Sequence, residues 1–268
     1  DGTYSPRYTE GWHDGSGWRD ENGKWRGRYP IFDCRDFAKR IYTIFHGEVQ
    51  FENFPHGFVY VHGSPPLAPI RAFVDSFHAG EDRKTMLAKH LNDIDFNEYR
   101  AQYAFRPFGV PFDWLPKFGK IPVGPRGRVA EALTIGASLA NNRILDREED
   151  YDRTSYPAHK VWDAYDWVDA GRDNFVGFWQ SARFVTIPET DKILASFYWQ
   201  KDKKILLALV NKDPDDMQVM VKLNLATFGL ASPVLGQDAV NGKDVSFPDG
   251  QAQLTISGDG FRLLKLWH

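Results

Sequence analysis

Four apolar, β-branched and aromatic runs crowd the last third of the chain: ILASFYW from Ile193, KKILLALVNK, DMQVMVKLNL and FRLLKLW. Short turn signals separate them, among them QKDKK, NKDPDD, VNGKD, PDGQ and SGDG. Runs of this length, punctuated by Gly, Asp, Asn and Pro, predict strands joined by tight hairpins. Residues 190–268 are therefore expected to form a small antiparallel β-sandwich, with Phe197, Leu207, Leu209, Val219 and Val221 in its core. Apolar residues make up 42% of the 268-residue chain, enough to build such a core and a second domain besides.

Upstream of a boundary near 180–192 the texture changes. Residues 1–30 carry Gly, Asp or Asn every few positions and no apolar period, which predicts loop. A helix is predicted over 33–46, with Asp33 as its N-cap and Phe37, Ile41, Ile44 and Phe45 as its apolar stripe. GFVYVHG predicts a short strand over 57–62, ending at His62. IRAFVD predicts a weaker one over 70–75, ending at Asp75. Helices are predicted over 83–91, 96–105 and 157–169. The Pro- and Gly-rich stretch 106–127 predicts an extended loop. The segment 128–140 is Ala-rich and apolar, either a buried helix or a strand running into one. The lone Cys34 rules out a disulfide within the chain and reads as a buried thiol in a helix.

A net charge of −3 argues against a nucleic-acid-binding surface. No apolar stretch approaches the roughly 18 residues of a membrane span. Nucleophile-elbow, Walker and dinucleotide-binding patterns are absent, and nothing calls for a cofactor. His13, Asp14, His62 and His78 lack metal-ligand spacing.

The candidate chemistry lies in carboxylates. Asp75 is expected at a strand end, with Glu81 on the loop that follows, and Asp1-Gly2-Thr3 looks like another strand turning into a loop. Paired carboxylates suit glycoside hydrolysis, where one protonates the leaving oxygen and the other attacks the anomeric carbon or activates water. His62 could bind a substrate hydroxyl or tune a carboxylate, with His13 and His78 nearby in sequence. Of the nine Trp residues, Trp12, Trp18, Trp25 and Trp114 sit in polar or Pro/Gly-rich segments, and Trp12, Trp18 and Trp114 are the expected platforms on which a sugar can stack. Arg7 and Arg71 could hold an acidic sugar or sulfate through bidentate hydrogen bonds.

The order of these features resembles a known plan: a strand ending in Asp-Gly, an aromatic loop, the helix RDFAKRIYTIFH, a strand ending in His, AFVDSFHAGE, the RPFGVPFDWLP loop, an Ala-rich segment and a terminal β-domain with LLALVNKD. The chain resembles the C-terminal half of secreted bacterial (β/α)8-barrel glycoside hydrolases, in particular a poorly characterised polysaccharide-degrading group. The resemblance implies an α/β plus all-β fold: a partial TIM-type barrel over 1–185, then the β-sandwich over 190–268. It implies that Asp1, Asp75 and Glu81 occupy acidic active-site positions, that the protein is secreted or periplasmic, and that the early barrel strands come from a preceding segment or a separate chain. Asp1 in place of Met fits a processed product or a fragment. Two other readings stand beside the hydrolase: a non-catalytic carbohydrate-binding protein, with the same Trp platforms but no acid–base pair, and a polysaccharide lyase.

Overall fold

The structure is a computed structural model and describes residues 18–26, 31–47, 57–62, 68–79, 90–103, 109–114, 139, 158–200 and 204–268. The chain divides into two compact units, 1–80 with 106–113, and 81–105 with 114–268.

In the first unit, the predicted N-terminal loop contains an antiparallel hairpin, β1 (Trp18–Arg19) and β2 (Trp25–Arg26). Helix α1 spans Ile31–Gly47, so Asp33 lies in its first turn rather than at the N-cap. Its buried face is Cys34 and Ala38, continued by the half-buried Ile41, Tyr42 and Phe45, an i, i+4, i+7, i+8, i+11 series. Phe37 falls one position off that series and is exposed, contrary to the predicted stripe. Strand β3 (Tyr60–His62) runs parallel to β4 (Ser76–Ala79), and the crossover between them holds the short helix α2 (Ala68–Arg71). Strand β5 (Phe112–Trp114) completes the order β3-β4-β5 and interrupts the predicted 106–127 loop.

The second unit is a mixed assembly of helices and antiparallel sheets. Helices α3 (Phe96–Tyr103) and α4 (Ala158–Val168) precede β6 (Phe175–Val176), β7 (Val185–Thr186), β8 (Ile193–Gln200), β9 (Lys204–Asn211) and β10 (Met217–Leu223). The one-turn helix α5 (Leu225–Phe228) then leads to β11 (Val234–Asp238), β12 (Asp244–Phe247), β13 (Gln251–Ile256) and β14 (Phe261–Trp267). Six strands pair in the order β12-β11-β14-β9-β8-β6 and three in the order β13-β10-β7, every pair antiparallel.

Side-chain alternation explains the layering. Strands β10 and β13 alternate buried and exposed residues, the pattern of a sheet with one wet face. Strand β9 is buried almost throughout, because both of its faces are covered. Ile205, Leu207 and Leu209 join Phe197, Val219, Val221, Leu254 and Phe228 in a core shared by the two sheets. Leu206, Ala208 and Val210 face the other way, into a core with Val161, Tyr165 and Val168 of α4 and with Leu91, Phe96 and Tyr99. All five residues expected to form the β core lie in the first of these clusters. Each fully buried large apolar side chain contributes about 1.5–3 kcal/mol.

The C-terminus of α4 is fastened to the sheet. Asp169 adopts a left-handed φ of 52°, and Ala170 N–H donates to Tyr165 C=O at 2.9 Å, closing the helix as a Schellman turn. Three more carbonyls, those of Trp167, Val168 and Asp169, accept from Lys204 Nζ, Gln200 Nε2 and Asn174 Nδ2. A cation at this end also suits the helix dipole. Burial pushes the phenols of Tyr165 and Tyr198, whose rings meet edge to face at 5.3 Å, well above their ordinary pKa.

Candidate functional site

Two short parallel strands form the frame for the candidate site. Tyr60 pairs with Ser76, Val61 with Phe77 and His62 with His78. His62 closes β3, and His78 is the last but one residue of β4. Two histidines far apart in sequence are therefore register partners at the C-terminal ends of neighbouring parallel strands. The sequence marked both, but only the ladder places their backbones side by side.

Asp75 lies at the other end. The strand predicted over 70–75 is instead the helical turn of α2 followed by a bend, with Pro69 tolerated in the first helical turn. Strand β4 starts only at Ser76, so Asp75 precedes the strand rather than ending it. His78 is three residues further on, about 10 Å away at strand rise. The Asp75 carboxylate is already engaged: Oδ2 accepts the Val59 N–H at 2.7 Å and lies 2.8 Å from His46 Nε2. The Asp75 N–H donates to Val59 C=O at 2.9 Å. Tyr42 stacks on His46 with ring centroids 3.8 Å apart. One carboxylate thus ties the start of β4 to β3 and to the C-terminal end of α1, and Asp75 and His46 are less than a fifth exposed. Close approach adds a constraint: Gly57 N–H donates to Phe45 C=O, and a Cβ at Gly57 would come within 2.7 Å of that oxygen.

Nothing in the sequence pattern flagged His46, which lies in the last turn of α1. The available signal was a His at the end of a helix, where the dipole favours positive charge.

The other expected residues fall in three groups. Arg71 ends α2 and is half-buried, and Cys34 is buried in α1 as expected. Trp114 ends β5, and Trp18 is 53% exposed on the N-terminal hairpin. Asp1, Arg7, Trp12, His13 and Glu81 lie outside the described residues. Among the described residues, no group of three His, Cys, Asp or Glu is placed to hold a metal ion, and no helix is long and apolar enough to cross a membrane.

The hairpin is held by one carboxylate. Asp20 Oδ1 accepts the N–H groups of Asn22 and Lys24 at 3.0 and 2.9 Å, and Oδ2 accepts Arg26 Nε–H at 2.8 Å. The Lys24 amide first, then the Arg26 guanidinium, hold the Asp20 carboxyl below its usual pKa. Gly23 supplies the left-handed φ of 74° that the turn needs.

No protein-family model matches the chain, and no curated protein sequence matches it. Among solved structures it is similar to a maltogenic alpha-amylase from Thermotoga neapolitana, with a TM-score of 0.50 and 11% identity, over 96% of this chain and 73% of that one. An alpha-amylase from Geobacillus thermoleovorans, solved with acarbose, gives 0.49 and 12% over 90% and 58% of the two chains. An Anoxybacillus alpha-amylase gives 0.48 and 11% over 89% and 56%. The chain thus spans less than two thirds of the length of the latter two. These neighbours are TIM-barrel glycoside hydrolases. At such identity, the Thermotoga neapolitana likeness speaks to the fold alone.

Proposed function

We propose that the chain is part of a glycoside hydrolase that acts on a poly- or oligosaccharide by carboxylate acid/base catalysis. In this reading, residues 1–185 belong to a (β/α)8 barrel, residues 190–268 form a β-sandwich that follows it in sequence, the remaining strands come from a separate segment or chain, and the protein is secreted or periplasmic. The observation that carries the reading is the register of His62 with His78 on a β3–α2–β4 crossover. Parallel strands joined by a crossover are the repeating unit of a barrel, and barrel enzymes build their sites beyond the C-terminal ends of such strands. The fold likeness to the Thermotoga neapolitana amylase supports the barrel but not the substrate.

Glu81 follows the last residue of β4 by two positions and is the proposed acid or base; Asp1 is its proposed partner. His62, His78, Trp12, His13, Trp114 and Arg71 are proposed to bind the sugar. Asp75, expected from sequence to share in catalysis, is proposed to position β3 and β4 instead, because its carboxylate is engaged by Val59 and His46.

The test is reducing-sugar release from a panel of polysaccharides. Glu81→Gln should lower the rate by about 10²–10⁴-fold, the usual contribution of general acid–base catalysis, with binding retained. An unchanged rate would remove Glu81 from the mechanism. Binding without turnover of any polysaccharide would favour a carbohydrate-binding protein, a reading to which the exposed Trp18 and Trp25 already lend weight.

A further inference from the structure

The β1–β2 hairpin has features that the catalytic proposal leaves unused. Its register pairs Trp18 with Arg26 and Arg19 with Trp25. Cross-strand partners share a face, so each face of the ribbon carries one Trp beside one Arg. Trp18 is 53% and Trp25 40% exposed, large apolar rings left open to water. On one face the Arg19 guanidinium lies 4.8 Å over the Trp25 ring, with Nη1 donating to Gly23 C=O at 3.3 Å. On the other, Asp20 takes the Arg26 Nε–H, which orients the guanidinium while the Arg26 side chain stays 47% exposed. The terminal N–H groups are the ones left for a ligand. Asp20 also holds two turn amides, so Arg26 sits on a pre-organised support and loses less freedom on binding.

We propose that the Trp18–Arg26 face is a binding subsite for an anionic sugar unit. The indole takes the apolar C–H face of the ring, and the guanidinium takes a carboxylate or sulfate. The inference rests on the carbohydrate reading above and names its substrate class. The hairpin carries Arg19, Lys24 and Arg26 against Asp20 and Glu21, so the ribbon is slightly cationic on a chain of net charge −3. One ring per face gives no run of stacking platforms for a nucleic-acid strand.

The full 268-residue chain is tested by affinity electrophoresis and calorimetry on three polymers with one backbone: dextran, carboxymethyl-dextran and dextran sulfate. The wild-type chain should bind at least one charged polymer about tenfold or more tightly than dextran, and added salt should weaken that binding. A preference for carboxymethyl-dextran assigns a carboxylated sugar, and a preference for dextran sulfate assigns a sulfated one. Trp18→Ala and Arg26→Gln should each cost about tenfold. Trp18→Tyr should restore most of the loss, because it keeps a ring, whereas Arg26→Lys should restore little, because it lacks the fork. Equal binding to all three polymers, no response to Trp18→Ala in a chain with wild-type circular dichroism, or tighter binding to an oligo(dT) strand would each overturn the subsite. Binding of charged dextran by a chain that hydrolyses no polysaccharide leaves the subsite standing and sinks the hydrolase. Hydrolysis with binding indifferent to the hairpin does the reverse.

Discussion

The two compact units are stabilised in opposite ways. In the second, strands of seven and eight residues lie between two apolar cores, and β9 alone presents Ile205, Leu207 and Leu209 to one and Leu206, Ala208 and Val210 to the other. In the first, the parallel strands are three and four residues long, and a polar clamp of Asp75, His46 and Val59 secures their entry. Burial in bulk tolerates the loss of any single polar group, whereas a clamp concentrates the outcome in one carboxylate. The backbones of both strand-end histidines and the exposed aromatic hairpin belong to the unit in which fewer of the described residues are buried and apolar. Binding sites are often carried by segments of low local stability.

Three substitutions test this contrast. Phe197→Ala removes a ring that is 1% exposed and packs against Phe184 and Phe228 at 5.2 and 5.1 Å. It should cost about 3–5 kcal/mol in chemical denaturation, the usual range for a buried Phe. A loss below about 1 kcal/mol would mean that the two-sheet core is looser than its burial implies.

Asp75→Asn weakens the clamp and should cost about 1–3 kcal/mol, the penalty for a buried polar group left without its partner. The loss should be local: hydrogen exchange at the amides of Val59 and of β3 and β4 accelerates, while β8 and β9 stay protected. If the turnover rate falls by orders of magnitude with exchange unchanged, Asp75 acts on substrate, the role expected for it from sequence.

The smallest effect is alkaline. Burial raises the pKa values of Tyr165 and Tyr198 above the ordinary 10.0. A raised folded-state pKa means that the stabilising contribution is complete below the unfolded value near 10 and drains away as pH climbs past it. A melting series from pH 9 to 11 should fall less steeply for Tyr198→Phe than for the parent, by about 1 kcal/mol at pH 11. Identical slopes would show that the phenols are not what fails first in alkali.

The sequence was most legible where periodicity and burial agree. The alternation of DMQVMVKL, the apolar run of KILLALVN and the turn residues between them announced β10, β9 and their hairpins, and the amphipathic 157–169 pattern announced α4. It was least legible where one residue decides between states. IRAFVD has the composition of a strand, yet Pro69 and the chain around it take a helical turn, and that shift carried Asp75 from a strand's end to its start. The short β1–β2 ribbon hides in a polar stretch because two-residue strands leave no period to read. The pairing of His62 with His78 was invisible because register across a parallel crossover has no local sequence signature. Phe37 was misplaced for a simpler reason: apolar character marked it for the stripe, and helical phase put it outside.

Asp259, in the turn between β13 and β14, has a left-handed φ of 47°, and its carboxylate accepts the Leu91 N–H at 2.7 Å and lies 2.6 Å from His90 Nδ1. Leu91 and Phe96 bury themselves in a core closed by Leu206, Val210 and Leu263. The partners of this hydrogen bond are 168 residues apart. At ribosomal rates of about 5–20 residues per second, Leu91 emerges on the order of ten to thirty seconds before Asp259 exists to hold it. Throughout that interval its neighbourhood is an unsatisfied apolar surface on a growing chain, so the tie that finishes the domain also schedules it: this core can close only once the β13–β14 turn has been made.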